Sequence, residues 1–158
     1  MSGTHFDVAV LFVELLKKHF KNKLISVVLY GSVAQGCEKP SSDIDLLLII
    51  EDLPSGRYER RKILEPVFRE WENSTVADRG LFISTILKTP KEAVKLSPIY
   101  FDMVDRRKFL VDQKNFFEKI LDNVRKRLEK LGAKRKKSGK IEYWDLKPDY
   151  VPGEVFEI

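Results

Sequence analysis

Cysteine and histidine are scarce in this chain, which has one cysteine and two histidines in 158 residues. A single thiol, Cys37, excludes an internal disulfide and a zinc site built from several cysteines. His5 and His19 have no third partner nearby in the sequence, so they do not indicate a metal site.

Long uncharged apolar runs are also missing. No stretch approaches the roughly 20 residues that a membrane-spanning helix needs. Asp7 and Glu14 interrupt the apolar N-terminal segment, which is unlike a signal peptide. We therefore expect no membrane association and a cytoplasmic location.

Apolar residues make up 43% of the chain, enough for one core, and the length predicts a single domain. The net charge of +5 favours an anionic partner. Charge alone does not distinguish a nucleotide from a nucleic acid or an acidic protein.

The apolar periodicity predicts an α/β chain in which helices cover a small sheet. Helices are expected over 4–20, 32–36, 57–72, from 89 onward, 99–104 and 113–131, and strands over 24–30, 43–50, 81–88 and 108–112. The continuous apolar run from Leu46 predicts that both faces of its strand are covered. Pro66 should kink or divide its helix. Residues 133–140 are predicted to be a basic turn, and 141–158 a strand or an extended packed tail.

Two aspartates stand at the start of the second predicted strand. Side chains at i and i+2 of a strand point to the same face, so Asp43 and Asp45 should lie side by side. Like charges this close repel, and a divalent cation or a paired Lys or Arg must offset them. Oxygen-only ligands favour a hard ion such as Mg²⁺, with Mn²⁺ as the other choice.

A glycine-rich turn precedes the aspartates. Gly31 lets the backbone approach a ligand closely, and Gly36 permits a second turn. If a helix begins at Ser32 or Val33, its free N–H groups and the Ser32 hydroxyl can bind phosphate oxygens. A phosphate cradle beside a metal platform indicates phosphoryl or nucleotidyl transfer.

Together the two segments, GSVAQG and SDIDLLL, resemble the signature of the minimal nucleotidyltransferases of the DNA polymerase beta superfamily. The pattern is G-S-x-A-x-G, a short polar linker, then S-D-I-D and an apolar run. The matching residues are Gly31, Ser32, Ala34, Gly36, Ser42, Asp43 and Asp45.

This resemblance implies a mixed sheet with helices on one side and the active site at its open edge. It implies a nucleotidyltransferase domain over residues 1–112, with a C-terminal helix, basic turn and packed tail over 113–158 in the same globule. By resemblance, Asp43 and Asp45 bind the metal and catalyse. Gly31, Ser32, Gly36 and Ser42 bind the nucleotide, with ATP as the first choice of triphosphate.

The implied reaction is attack of an acceptor hydroxyl on the α-phosphate of a nucleoside triphosphate, with loss of pyrophosphate. The acceptor, a protein or a small molecule, stays open. The resemblance also suggests a HEPN-type helical partner in a toxin–antitoxin pair. A catalytically degenerate nucleotide-binding antitoxin is therefore the alternative function.

A third carboxylate usually completes the two-metal site of active relatives. The third predicted strand has none, and Ser84 or Thr85 occupies the expected position. Asp78, Asp102 and Asp105 are the candidates to replace it.

A basic cluster spans residues 125–137. It favours the solvated face of a helix and a surface loop. Nucleic-acid binding through this segment is the lesser alternative.

Overall fold

The computed structural model describes residues 4–74 and 80–158. The helices are α1 (His5–Phe20), α2 (Gly31–Gln35), α3 (Arg57–Glu72), α4 (Pro90–Ala93), α5 (Ile99–Met103) and α6 (Phe116–Lys130). The strands are β1 (Leu24–Tyr30), β2 (Ile44–Ile50), β3 (Ile83–Lys88), β4 (Lys108–Asp112), β5 (Lys134–Ser138) and β6 (Ile141–Asp145). Short 3-10 turns cover Lys21–Lys23 and Gln113–Asn115.

Four strands form one mixed sheet in the order β3-β2-β1-β4. β1 runs antiparallel to both β2 and β4, whereas β2 and β3 are parallel. β4 is an edge strand. β3 forms the opposite edge of this sheet.

Helices cover both faces of the sheet. On one face, α1 and α3 pack on the alternate residues of β1 and β2 that include Leu29 and Leu46. On the other face, α4, α5 and α6 pack around Val28, Leu47 and Ile49. The prediction that β2 is covered on both faces is confirmed. The expectation of helices on one side only is wrong, because β2 carries apolar side chains on both of its faces.

The helix starts follow from local capping residues. Thr4 and Asp7 form a capping box at the start of α1, and Thr89 and Glu92 form another at α4. In each, the hydroxyl accepts the N3 amide hydrogen and the N3 carboxylate accepts the N-cap amide hydrogen.

Pro66 does not divide α3, which is continuous from Arg57 to Glu72. Buried residues on both sides of the proline anchor the helix, with Leu64 and Val67 in the core. The ring of Trp71 meets that of Phe12 edge-on, with centroids 5.6 Å apart. This packing outweighs the loss of one backbone hydrogen bond at the proline.

The predicted basic turn is instead the first strand of a hairpin. β5 and β6 pair antiparallel, with Arg135 opposite Trp144. The Arg135 guanidinium lies 4.6 Å from the centroid of the Trp144 ring. Within β5, Arg135 is thus half-buried against the protein, whereas Lys134, Lys136 and Lys137 are exposed. Among the described residues, no helix is long and apolar enough to cross a membrane.

Candidate active site

The strand pairing places three polar side chains in one row across the sheet. Asp45 is the partner of Tyr30 on β1 and of Ser84 on β3. Directly opposite residues of neighbouring strands share a face, so Tyr30, Asp45 and Ser84 project together. Asp43 lies just before β2, which begins at Ile44 rather than at Asp43 as predicted.

Gly31 connects the glycine-rich turn to this row. Its φ of +73° is in the left-handed region that glycine adopts readily. A Cβ placed on Gly31 would stand 2.5 Å from Asp45 Oδ2. The Asp45 carboxylate therefore occupies the space that any other residue at position 31 would fill. This contact brings the two halves of the sequence motif together.

The electrostatics of the site are unbalanced. Burial raises the pKa of Asp45, interaction with the Ser84 hydroxyl lowers it, and repulsion from Asp43 raises it. The Asp43 effect shows that the two carboxylates are close. Burial, together with the negative charge of Asp45, raises the pKa of Tyr30 to about 12. The pKa values of Asp45 and Tyr30 are thus both raised in part by a neighbouring carboxylate.

Within residues 4–74 and 80–158, neither Asp43 nor Asp45 forms an ion pair with Lys or Arg. Arg107 directly precedes Lys108, the partner of Leu29 on the neighbouring strand. Burial lowers the pKa of Arg107, and its charged neighbours are Arg125 and acids of α6 and the preceding turn. Arg107 is thus oriented toward α6 and does not neutralise Asp45.

The carboxylates and hydroxyl of this row are the hard oxygen donors that Mg²⁺ or Mn²⁺ prefers. The uncompensated charge of Asp43 and Asp45 fits a divalent cation. The described part of the chain supplies no third acidic ligand, since no group of three His, Cys, Asp or Glu side chains converges within it.

The predicted nucleotide-binding residues lie in the segment between β1 and β2. Ser32 is in the first turn of α2, and its carbonyl accepts the Cys37 amide hydrogen at 3.1 Å. Gly36 ends α2 at a φ of +67°. The Ser42 hydroxyl accepts a hydrogen bond from the Lys39 amide at 2.9 Å and closes the loop before Asp43. Their part in nucleotide binding stays a prediction.

Two of the three candidates for a third carboxylate, Asp102 and Asp105, form ion pairs with Arg135. Asp102 and Asp105 accept hydrogen bonds from the two terminal nitrogens of Arg135, at 2.9 Å and 2.6 Å. These ion pairs hold the hairpin to α5 and leave the two acids already neutralised. Asp78 lies outside the described residues.

The sequence alone does not identify two members of the row, Ser84 and Tyr30, as site residues. Ser84 was recognised only as one of two positions where an acid was expected, and Tyr30 was not recognised at all. Their alignment with Asp45 depends on strand register. The alternating side chains of β3 give no signal that selects Ser84 over Thr85 without the register.

Comparison with known proteins identifies the family of this chain. Residues 11–147 match the family model of the nucleotidyltransferase domain. MJ1305 of Methanocaldococcus jannaschii, a candidate protein adenylyltransferase, is 30% identical over 135 residues, which cover 82% of this chain and 89% of the relative.

Among solved structures, an adenyltransferase shares the fold. Spectinomycin adenyltransferase AAD(9) of Enterococcus faecialis, solved with ATP and spectinomycin, superposes with a TM-score of 0.55 at 18% identity, covering 82% of this chain and 67% of that one. A complex of the tri-AMPylated Shewanella oneidensis HEPN toxin with its MNT antitoxin gives a TM-score of 0.46 at 14% identity, covering 82% and 93%.

The family match extends over most of the chain and includes both halves of the motif that Gly31 and Asp45 join. The chain belongs to the nucleotidyltransferase domain family.

Proposed function

We propose that this protein transfers the nucleoside monophosphate of ATP to a hydroxyl group of an acceptor protein. The observation that carries the proposal is the pair Asp43 and Asp45, which forms no ion pair with a described Lys or Arg and whose second member, Asp45, packs against Gly31. The M. jannaschii relative, by its name, favours AMP as the group and protein as the acceptor. A small-molecule acceptor is the other choice.

In the proposed reaction, the acceptor oxygen forms a bond to the α-phosphorus. The bond from that phosphorus to the oxygen bridging to the β-phosphate breaks, pyrophosphate leaves, and the hydroxyl proton passes to solvent. A divalent cation held by Asp43 and Asp45 would neutralise charge on the triphosphate. Gly31, Ser32, Gly36 and Ser42 are proposed to position the phosphates, with backbone N–H groups as donors.

A catalytically degenerate nucleotide-binding module, acting as an antitoxin, is the second candidate. The observation that favours it is Ser84 in the position opposite Asp45 where an acid was expected. A HEPN-type partner and a cytoplasmic location stay proposals that rest on the sequence alone.

ATP analogues distinguish the two functions. The protein is incubated with Mg²⁺, cell-extract proteins and ATP labelled on either the α- or the γ-phosphate. We expect the α-label alone to become attached to protein. ATP with a methylene group between the α- and β-phosphates should bind without reaction, whereas a β,γ-methylene analogue should still transfer its nucleotide.

Retention of the γ-label would contradict nucleotidyl transfer. Binding of both analogues with no transfer to any acceptor would favour the degenerate module.

A further inference from the structure

A basic groove runs along the outer edge of β3, beside the candidate active site. Its volume is about 630 Å³, and it lies between α3, β3 and the α4–α5 segment. The lining residues are Arg57, Arg60, Arg61, Thr85, Ile86, Leu87, Lys88, Glu92, Lys95, Leu96, Ser97 and Pro98.

The groove carries five basic side chains and one carboxylate. Arg60 is neutralised by Glu92 in a two-pronged ion pair, with N–O distances of 2.9 Å and 2.8 Å. Arg57, Arg61, Lys88 and Lys95 form no ion pair with a described residue. The groove thus has four uncompensated positive charges, and its charge complements an anionic ligand.

The edge of β3 offers backbone hydrogen-bonding groups to this ligand. Among the described strands of the mixed sheet, β3 pairs with β2 alone. The Leu87 carbonyl accepts a long hydrogen bond of 3.4 Å from Arg60 Nη1, so it points away from β2. Backbone direction alternates along a strand, and Thr85 therefore points to the same side. An open edge of this kind pairs with an extended peptide.

The same edge leads to the catalytic row. Ser84, the partner of Asp45, directly precedes Thr85. A strand added along Thr85 and Leu87 would continue past Ser84 toward the two acids.

These features favour a peptide over a nucleic acid. None of the residues that line the groove is aromatic. Single-stranded nucleic-acid sites depend strongly on base stacking on aromatic rings, whereas a strand edge supplies the backbone pairing that a peptide needs.

We propose that this groove binds an extended, acidic segment of the acceptor protein as an added strand on β3. The placement of the acceptor near Asp45 rests on the proposed function. The binding of an acidic peptide to the groove does not depend on the proposed function, and this binding is measured without ATP.

The test uses three fluorescent or labelled probes: a ten-residue peptide of alternating Glu and Val, one of alternating Lys and Val, and a ten-nucleotide oligouridylate. Binding is measured by fluorescence anisotropy, and we expect only the Glu peptide to bind tightly. The double variant Arg61→Glu with Lys95→Glu should weaken it about tenfold or more, since charge complementarity is reversed.

The matched control is Lys62→Glu with Lys91→Glu, which makes the same change in net charge on α3 and α4 at exposed positions outside the groove. It should bind within about twofold of the parent, because charges outside the groove are screened by salt. Hydrogen exchange should show protection of the Thr85 and Leu87 amides by the Glu peptide. Thr85→Pro removes one donor from the open edge and should also weaken binding.

Equal weakening in the groove and control variants, or absence of amide protection at Thr85 and Leu87, would overturn the proposal. So would preferential binding of the oligouridylate. ATP binding in the presence of Mg²⁺, measured on the same variants, should be unchanged. Loss of peptide binding with retained ATP binding separates a failure of this inference from a failure of the proposed function.

Discussion

The carboxylate of Asp45 packs against the Cα atom of Gly31, so that a Cβ at position 31 would lie 2.5 Å from Asp45 Oδ2. One residue belongs to the turn after β1 and the other to β2. Because of this contact, the Asp45 carboxylate can keep its position only if residue 31 has no side chain.

Gly31→Ala is therefore expected to damage the site more than the fold. The new methyl group displaces the Asp45 carboxylate, and a displacement of about 1 Å can cost about 100-fold in turnover. Gly132→Ala is the matched control, because Gly132 lies outside the site, has a similar φ of +68° and has no heavy atom within 4 Å of the added Cβ.

Both variants should lose about 1 kcal/mol of unfolding free energy from the left-handed backbone. Urea denaturation and nucleotidyl-transfer assays measure the two effects separately. Equal loss of turnover in Gly31→Ala and Gly132→Ala would show that the contact with Asp45 does not matter.

Ser84→Asp should complete a three-carboxylate site, because Ser84 is the direct partner of Asp45. With EDTA the added charge should lower Tm. With Mg²⁺ the variant should show a larger rise in Tm than the parent, since a ligand that binds only the folded state stabilises it.

Thr85→Asp provides the control for Ser84→Asp. It adds the same charge one residue along, opposite Leu46 and on the other face of β3. Its Tm should not gain a larger response to Mg²⁺. If both variants respond alike, the strand register around Asp45 is not the one described.

Glu92 should make stability depend on pH in the acid range. Hydrogen bonds from Arg60 and the Thr89 backbone lower the pKa of Glu92 to about 2, against 4.5 ordinarily. The unfolded chain thus binds a proton that the folded one does not, and the stabilisation is present above about pH 4.5 and is lost as pH falls toward 2.

The stability difference between the parent and Glu92→Gln should be constant from pH 7 to about pH 5 and then shrink. Thermal unfolding across this range measures it. Glu65→Gln is the control, because its contact with Arg69 is exposed and 3.9 Å long. A stability difference between the parent and Glu92→Gln that grows as the pH falls would contradict a lowered pKa of Glu92.

Asp112 should be important for the docking of α6. Its Oδ1 accepts hydrogen bonds from the buried Ser26 hydroxyl at 2.6 Å and from the Phe117 amide at 2.9 Å, and its Oδ2 accepts one from the Glu118 amide at 3.0 Å. Asp112→Ala removes the cap and leaves Ser26 without its acceptor. We expect a loss of about 1–3 kcal/mol.

Asp122→Ala is the comparison for Asp112→Ala, since it removes only an exposed pair with Arg125. Such pairs contribute about 0–1 kcal/mol. Urea denaturation should separate the two variants clearly, and similar losses would contradict a capping role for Asp112.

The sequence was sufficient for the local features of the site. The strand that ends at Tyr30 and the turn at Gly31 follow from an apolar run stopped by glycine. The spacing to Asp43 and Asp45 follows from the motif, since all these signals lie within about 20 consecutive positions.

Contacts between distant segments could not be predicted from the sequence. Pairing of Ser84 with Asp45 depends on the register of β3, which the alternation of its side chains does not fix. The ion pairs of Arg135 with Asp102 and Asp105 depend on the β5–β6 hairpin. The run of basic residues in β5 is typical of a surface turn, so the sequence does not predict this hairpin. In both cases the decisive contacts join segments that are far apart in the chain.

The most direct test of the account is transfer of the α-label of ATP by the double variant Asp43→Asn with Asp45→Asn. Without the paired carboxylates, Mg²⁺-dependent transfer should fall about 1,000-fold or more, because two metal ligands are lost together. Its Tm in EDTA should equal or exceed that of the parent, since the repulsion between the acids is relieved. A double variant that transfers label at the parent's rate would contradict the account.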